Sequence, residues 1–75
     1  MNKPAYGVVL FYSTSGAVRA EKVLQRAGLG VKLIPVPRHL SSDCGVALRF
    51  EWAHREEVRS LLEGAGVEVE GLHQI

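Results

Sequence analysis

The 75-residue chain predicts an α+β domain in the element order βαββαβ, and three observations carry that expectation. Runs rich in β-branched and aromatic residues stand at 6–12, 31–36 and 46–51, and a Val-Glu alternation follows at 67–70. Two stretches with apolar residues at helical spacing, 17–27 and 54–65, fall between them. The chain also repeats itself. Shifted by 38 residues, Gly7, Val8 and Leu10 land on Gly45, Val46 and Leu48, Leu24 on Leu62, Ala27-Gly28 on Ala65-Gly66, and Val31 on Val69, without a gap. Two similar βαβ halves build the ferredoxin-like split-βαβ plait: a four-stranded antiparallel sheet in order 4-1-3-2 with two helices on one face. Residues 1–75 then make a single domain whose core is marginal at this size.

The elements follow in order. Strand one, 6–12, reads as buried throughout. Ser13, Thr14, Ser15 and Gly16 supply N-caps for the first helix, in which Ala20, Val23, Leu24 and Ala27 share a face. Gly28 stops that helix. The second strand is expected to end at Val36-Pro37, because proline fixes φ and donates no backbone hydrogen bond. In the third, 46–51, Val46, Leu48 and Phe50 lie on one side. His54, Val58, Leu61, Leu62 and Ala65 mark the buried stripe of the second helix, which Gly64 and Gly66 close. Val8, Leu10, Val46, Leu48, Phe50, Val67 and Val69 are assigned to the helix-covered face. Val9, Phe11, Ile34 and Ala47 are assigned to the other, beside Lys32, Arg49, Glu68 and Glu70. Such a mixed open face points to a homodimer through it, or to a tolerated open sheet.

Composition removes several classes of function. A net charge of +1 gives no reason to expect nucleic acid or an anionic membrane as partner. No run approaches the length of a membrane span, and Met1-Asn2-Lys3-Pro4 lacks the apolar core of a signal peptide. One cysteine forms no internal disulfide, which fits a reducing cytoplasm, and it excludes a Cys-x-x-Cys pair. Three scattered histidines and that cysteine lack zinc-site spacing, so no metal and no cofactor are expected. There is no nucleophile elbow, no Walker sequence and no converging carboxylate pair. A phosphatase-like plait is disfavoured as well: no Arg precedes residue 19 and the chain's one Asn is Asn2. The sequence therefore describes no self-sufficient enzyme.

The loop 35–45 is the most informative stretch. Two prolines stiffen its entry, Ser41, Ser42 and Asp43 offer turn-forming oxygens, and Cys44 stands against Gly45. Plait topology brings this loop to the edge where the first helix begins, near Ser13, Thr14, Ser15 and Gly16. Free amides and the helix dipole favour an anion there. Arg38 and His39 add positive charge or a proton shuttle, whereas Asp43 works against an ionised thiol. Two readings stay open at this point: a solvent-open, reactive thiol held ionised by the helix, or a small hydrophobe at the start of a strand. His39 reads as a general base or a solvated loop residue, His54 as a packed helix residue, and His73 as terminal.

The pattern Phe11-x-Ser13-Thr14, Ala20-Glu21-Lys22, Ala27-Gly28, Pro35-x-Pro37-Arg38, Ser41-Ser42-x-Cys44-Gly45-x-Ala47-Leu48-Arg49-Phe50 resembles the small bacterial selenium/sulfur carrier-like proteins. The resemblance spans nearly the whole chain and implies that Cys44 is a carrier thiol, holding sulfur as a persulfide or selenium as a selenenyl sulfide. It also implies donor and acceptor proteins as partners. Arg38, His39, Ser41, Ser42, Gly45, Ser13, Thr14, Ser15 and Gly16 would then form the binding surround. The alternative is a non-covalent ligand-binding or dimeric regulatory module in which Cys44 merely packs.

Overall fold

A computed structural model describes residues 5–42 and 44–75. Its elements are β1 (Tyr6–Leu10), α1 (Thr14–Arg26), β2 (Lys32–Pro35), β3 (Val46–Glu51), a 3-10 turn (Trp52–His54), α2 (Arg55–Gly64) and β4 (Gly71–Gln74). The four strands form one antiparallel sheet in order β2-β3-β1-β4, the expected order read from its other edge. Ala17, Ala20 and Leu24 of α1 and Val58 and Leu62 of α2 share one buried cluster with Val9, Phe11, Leu48 and Phe50, so both helices cover the same face. None of the described helices is long and apolar enough to cross a membrane.

α1 starts three residues earlier than the apolar spacing indicates. Ser13 has extended backbone and its Oγ accepts from Gly16 N at 3.2 Å, which places the helix start at Thr14. Both helices end in the same device. Gly28 and Gly66 have φ of +83° and +71°, Leu29 N donates to Leu24 O at 3.1 Å, and Val67 N donates to Leu62 O at 3.0 Å. This is the Schellman arrangement, and it occupies the positions that the 38-residue shift superimposes. Ala27, placed on the buried stripe from its spacing, is exposed at the cap.

The sheet differs from expectation in two places. β1 faces the opposite way: Val9 and Phe11 point to the helices, while Val8 and Leu10 join Ala47 on the other side. Residues 7–11 are all apolar or glycine, so alternation within them has no phase. The partner strand sets it, because Val9 pairs with Leu48 and Val8 with Arg49. The last strand lies at 71–74 rather than 67–70. Val67 is still tied by its amide to the end of α2 and stays in the core, so pairing with β1 begins only when Glu70 N reaches Leu10 O. Glu68 and Glu70 thus precede the ladder, and Glu70 Oε1 is buried with no hydrogen-bond partner among the described residues.

The helix-free face is less open than the sequence suggests. Val8 and Ala47 are 0% and Leu10 is 3% exposed, packed with Ile34 of β2 and with Val36 and Leu40 from the loop that follows it. Arg49 lies across the Tyr6 ring, its guanidinium carbon 4.7 Å from the ring centre. The apolar content on which a homodimer was expected is therefore taken up within the chain. At the far end of the sheet, Trp52 stacks on Phe50 at 5.9 Å, and its ring occupies the place a side chain on Gly7 would need.

A loop cysteine beneath the first turn of α1

The ends of β1 and β2 and the starts of α1 and β3 meet at one edge of the sheet, and the loop cysteine sits among them. Cys44 Sγ lies 3.6 Å from Thr14 Oγ1, on the first residue of α1. Ser42 fixes the approach. Its hydroxyl donates to Phe11 O at the end of β1 at 2.9 Å, and its Oγ accepts from Cys44 N at 3.3 Å. One side chain thus pins the loop to the sheet and sets the backbone of the cysteine.

The sulfur is not open to solvent, as one of the two sequence readings required. Cys44 is a free cysteine, 3% exposed, and belongs to the helix-side core with Phe11, Ala17 and Leu48. The reason lies in its two anchors. The Ser42 hydrogen bonds draw the chain inward at Phe11, and a thiol behaves as a small hydrophobe once it meets apolar neighbours. Proximity to the helix start is nevertheless as the topology requires. Thr14 gives the sulfur a hydroxyl partner at the end of the helix where the dipole is positive.

The other expected residues divide. Ser13 is committed to capping, accepting from Gly16 N and lying 3.2 Å from Ser15 Oγ. Ser15 is exposed and Gly16 half-buried on the same turn. Arg38 and His39 are exposed on a turn closed by Leu40 N donating to Pro37 O at 3.0 Å, and they make no hydrogen bond to the sulfur. Ser41 and Gly45 are exposed as well, and Gly45 O accepts from Val36 N at 3.4 Å. Asp43, expected to oppose ionisation of the thiol, lies outside the described residues. His54, expected to pack on α2, is instead exposed in the 3-10 turn, 3.4 Å from Glu51 and 3.6 Å from Glu57. It precedes α2, and flanking carboxylates draw it to the surface.

Sequence reading missed the contribution of Val36 and Leu40. Two apolar residues in a polar loop were the available signal, and both pack on Val8, Leu10 and Ala47. No group of three or more metal-ligating side chains occurs among the described residues. A cleft of about 240 Å³ opens beside the start of α1, with Tyr12, Ser13, Ser15 and Arg19 on its wall, and Cys44 is not part of its lining. Arg19 is already engaged, donating to Ala65 O at 2.7 Å.

No solved structure matches this chain. The protein of Escherichia coli (strain K12) called "Uncharacterized protein YtiA" is 33% identical over 55 residues, covering 73% of this chain and 65% of that protein. This chain thus spans just under two thirds of that relative's length. The family model described as "Putative Se/S carrier protein-like" matches residues 6–74, every residue that builds the sheet, both helices and the cysteine loop. On that match the chain belongs to the Se/S carrier protein-like family.

Proposed function

We propose that this chain is a cytoplasmic, non-enzymatic carrier that accepts one sulfur or selenium atom on Cys44 from a donor protein and yields it to an acceptor. Its sheet order, with both helices on one face, supports reading the fold as a ferredoxin-like plait. The observation that carries the reading is the position of Cys44 Sγ, 3.6 Å from Thr14 Oγ1 at the positive end of a 13-residue helix, in a chain of this family.

Loading is a sulfane transfer. The Cys44 thiolate attacks the outer atom X (S or Se) of a donor R–S–XH. The Cys44 S–X bond forms as the donor S–X bond breaks, giving Cys44 S–XH and the donor thiolate R–S⁻. No external oxidant is needed, since the zero-valent atom moves with its electrons. Thr14 and the dipole of α1 favour the terminal anion of the product. Arg38, His39 and Ser41, exposed on the loop, present the surface a donor would meet.

The test is intact mass after incubation with glutathione persulfide in the absence of reductant. The wild-type chain gains the mass of one sulfur, and Cys44→Ser gains none while keeping its circular dichroism. Equal gain in Cys44→Ser would overturn the reading.

A further inference from the structure

The charges of this chain are sorted along it. Residues 1–50 carry seven Lys and Arg against two acidic residues, and residues 51–75 carry two Arg against six Glu. Few of these charges meet. Among the described residues the ion pairs are those of His54 with Glu51 and Glu57, and no Lys or Arg takes part in one. The sheet register then sets two cations side by side. Lys32 of β2 is the Cα partner of Arg49 of β3, and Arg49 is that of Val8, which pairs in turn with His73 of β4. Their strand neighbours Leu33, Leu48 and Leu72 pack with the helix-side core, so Lys32, Arg49 and His73 form a row across the helix-free face.

The Lys32–Arg49 pair is a cost to the fold, because like charges directly opposite each other on neighbouring strands destabilise a sheet. Nothing on this face offsets it. Arg49 is half-buried and lies against the Tyr6 ring, its guanidinium carbon 4.7 Å from the ring centre. Glu51, opposite Tyr6 on the same face, lies 3.4 Å from His54. Lys32 alone would serve to keep an edge strand from pairing with another chain. Arg49 stands on an inner strand and has no such use.

We infer that Lys32 and Arg49 form a docking site for an acidic segment of a partner protein, whose carboxylates relieve the repulsion between the two cations. A nucleic-acid strand fits the surface poorly. Arg49 already occupies the Tyr6 ring on which a base would stack, and a long polyanion leaving the pair would meet the glutamates of 51–75. The site lies on the face opposite the core that holds Cys44, and it does not depend on the carrier reading.

The experiment is a titration of the isotope-labelled chain with octaglutamate at low salt, read by amide chemical shifts, with oligothymidylate of the same length in parallel. Saturable shifts should centre on residues 32–33 and 48–49 and fade as salt is raised. Arg49→Gln should bind octaglutamate about two- to five-fold more weakly, the scale of one exposed ion pair, and Lys32→Glu more weakly still. Lys22→Gln, on the exposed side of α1, should leave the binding unchanged. Lys32→Glu also turns the like pair into an opposite one, so its urea midpoint by Trp52 fluorescence should rise. Stability gained as binding is lost marks a residue kept for a partner rather than for the fold. A lower midpoint for Lys32→Glu, shifts centred on α1, binding unaltered in both Lys32→Glu and Arg49→Gln, or tighter binding of the oligothymidylate would each overturn the inference.

Discussion

Cys44 shows how little one residue's type says about its use. At 3% exposure it packs as a hydrophobe, while a hydroxyl lies 3.6 Å from its sulfur and Ser42 ties its loop to the end of β1. Its place in the chain was legible from the turn residues before it and from plait topology. Its burial was one of the two readings left open, and the hydrogen bond from Ser42 to the Phe11 carbonyl goes with the buried one. Gly7 makes the same point from the other side. It reads as an unremarkable strand glycine, but an added Cβ would overlap the Trp52 ring and stand 2.9 Å from Phe50 Cζ. Both neighbours are rigid rings, so neither yields cheaply. Gly7→Ala should therefore cost roughly 1–3 kcal/mol, the range for overpacking a tight core. The measure is the urea midpoint by Trp52 fluorescence, and a neutral substitution would show that the rings move aside.

Among the elements, the two helices are built to one plan. Each ends at a glycine with positive φ, and each hands its next apolar residue, Leu29 or Val67, back to the core through a 6→1 hydrogen bond. That common ending accounts for the strongest part of the internal repeat, Leu24, Ala27 and Gly28 on Leu62, Ala65 and Gly66. It also explains the displaced last strand, since Val67 belongs to the helix ending. The Val-Glu alternation at 67–70 had the right period and the wrong partner. Nothing lies within 4 Å of a Cβ added at Gly28 or Gly66, so the cost of alanine there is conformational alone. Gly28→Ala and Gly66→Ala should each lose about 1–2 kcal/mol of stability in denaturant titrations, the cost of a left-handed L-residue. Loss at one site and none at the other would contradict the shared design.

Across the whole molecule, the element order and the sheet order were readable because hydrophobic period, proline and glycine punctuation, and the internal repeat agree. The phase of β1 was not, since a strand apolar at every position carries no record of which side it shows; only pairing with Leu48 and Arg49 decides it. That phase places Val8, Leu10 and Ala47 against Val36 and Leu40, and so packs the loop that follows β2 on the helix-free face of the sheet. The fold brings Cys44 to the edge where α1 starts, and that juxtaposition is what the carrier proposal uses. The most direct measurement is the release of the carried atom. Chain loaded by a sulfane donor, freed of excess donor and treated with cyanide should return one thiocyanate per chain, as cyanide takes the outer sulfur and leaves the Cys44 thiolate. Its mass should fall back to that of the unloaded protein. No thiocyanate from the loaded chain, or as much from Cys44→Ser, would contradict a carrier built on this cysteine.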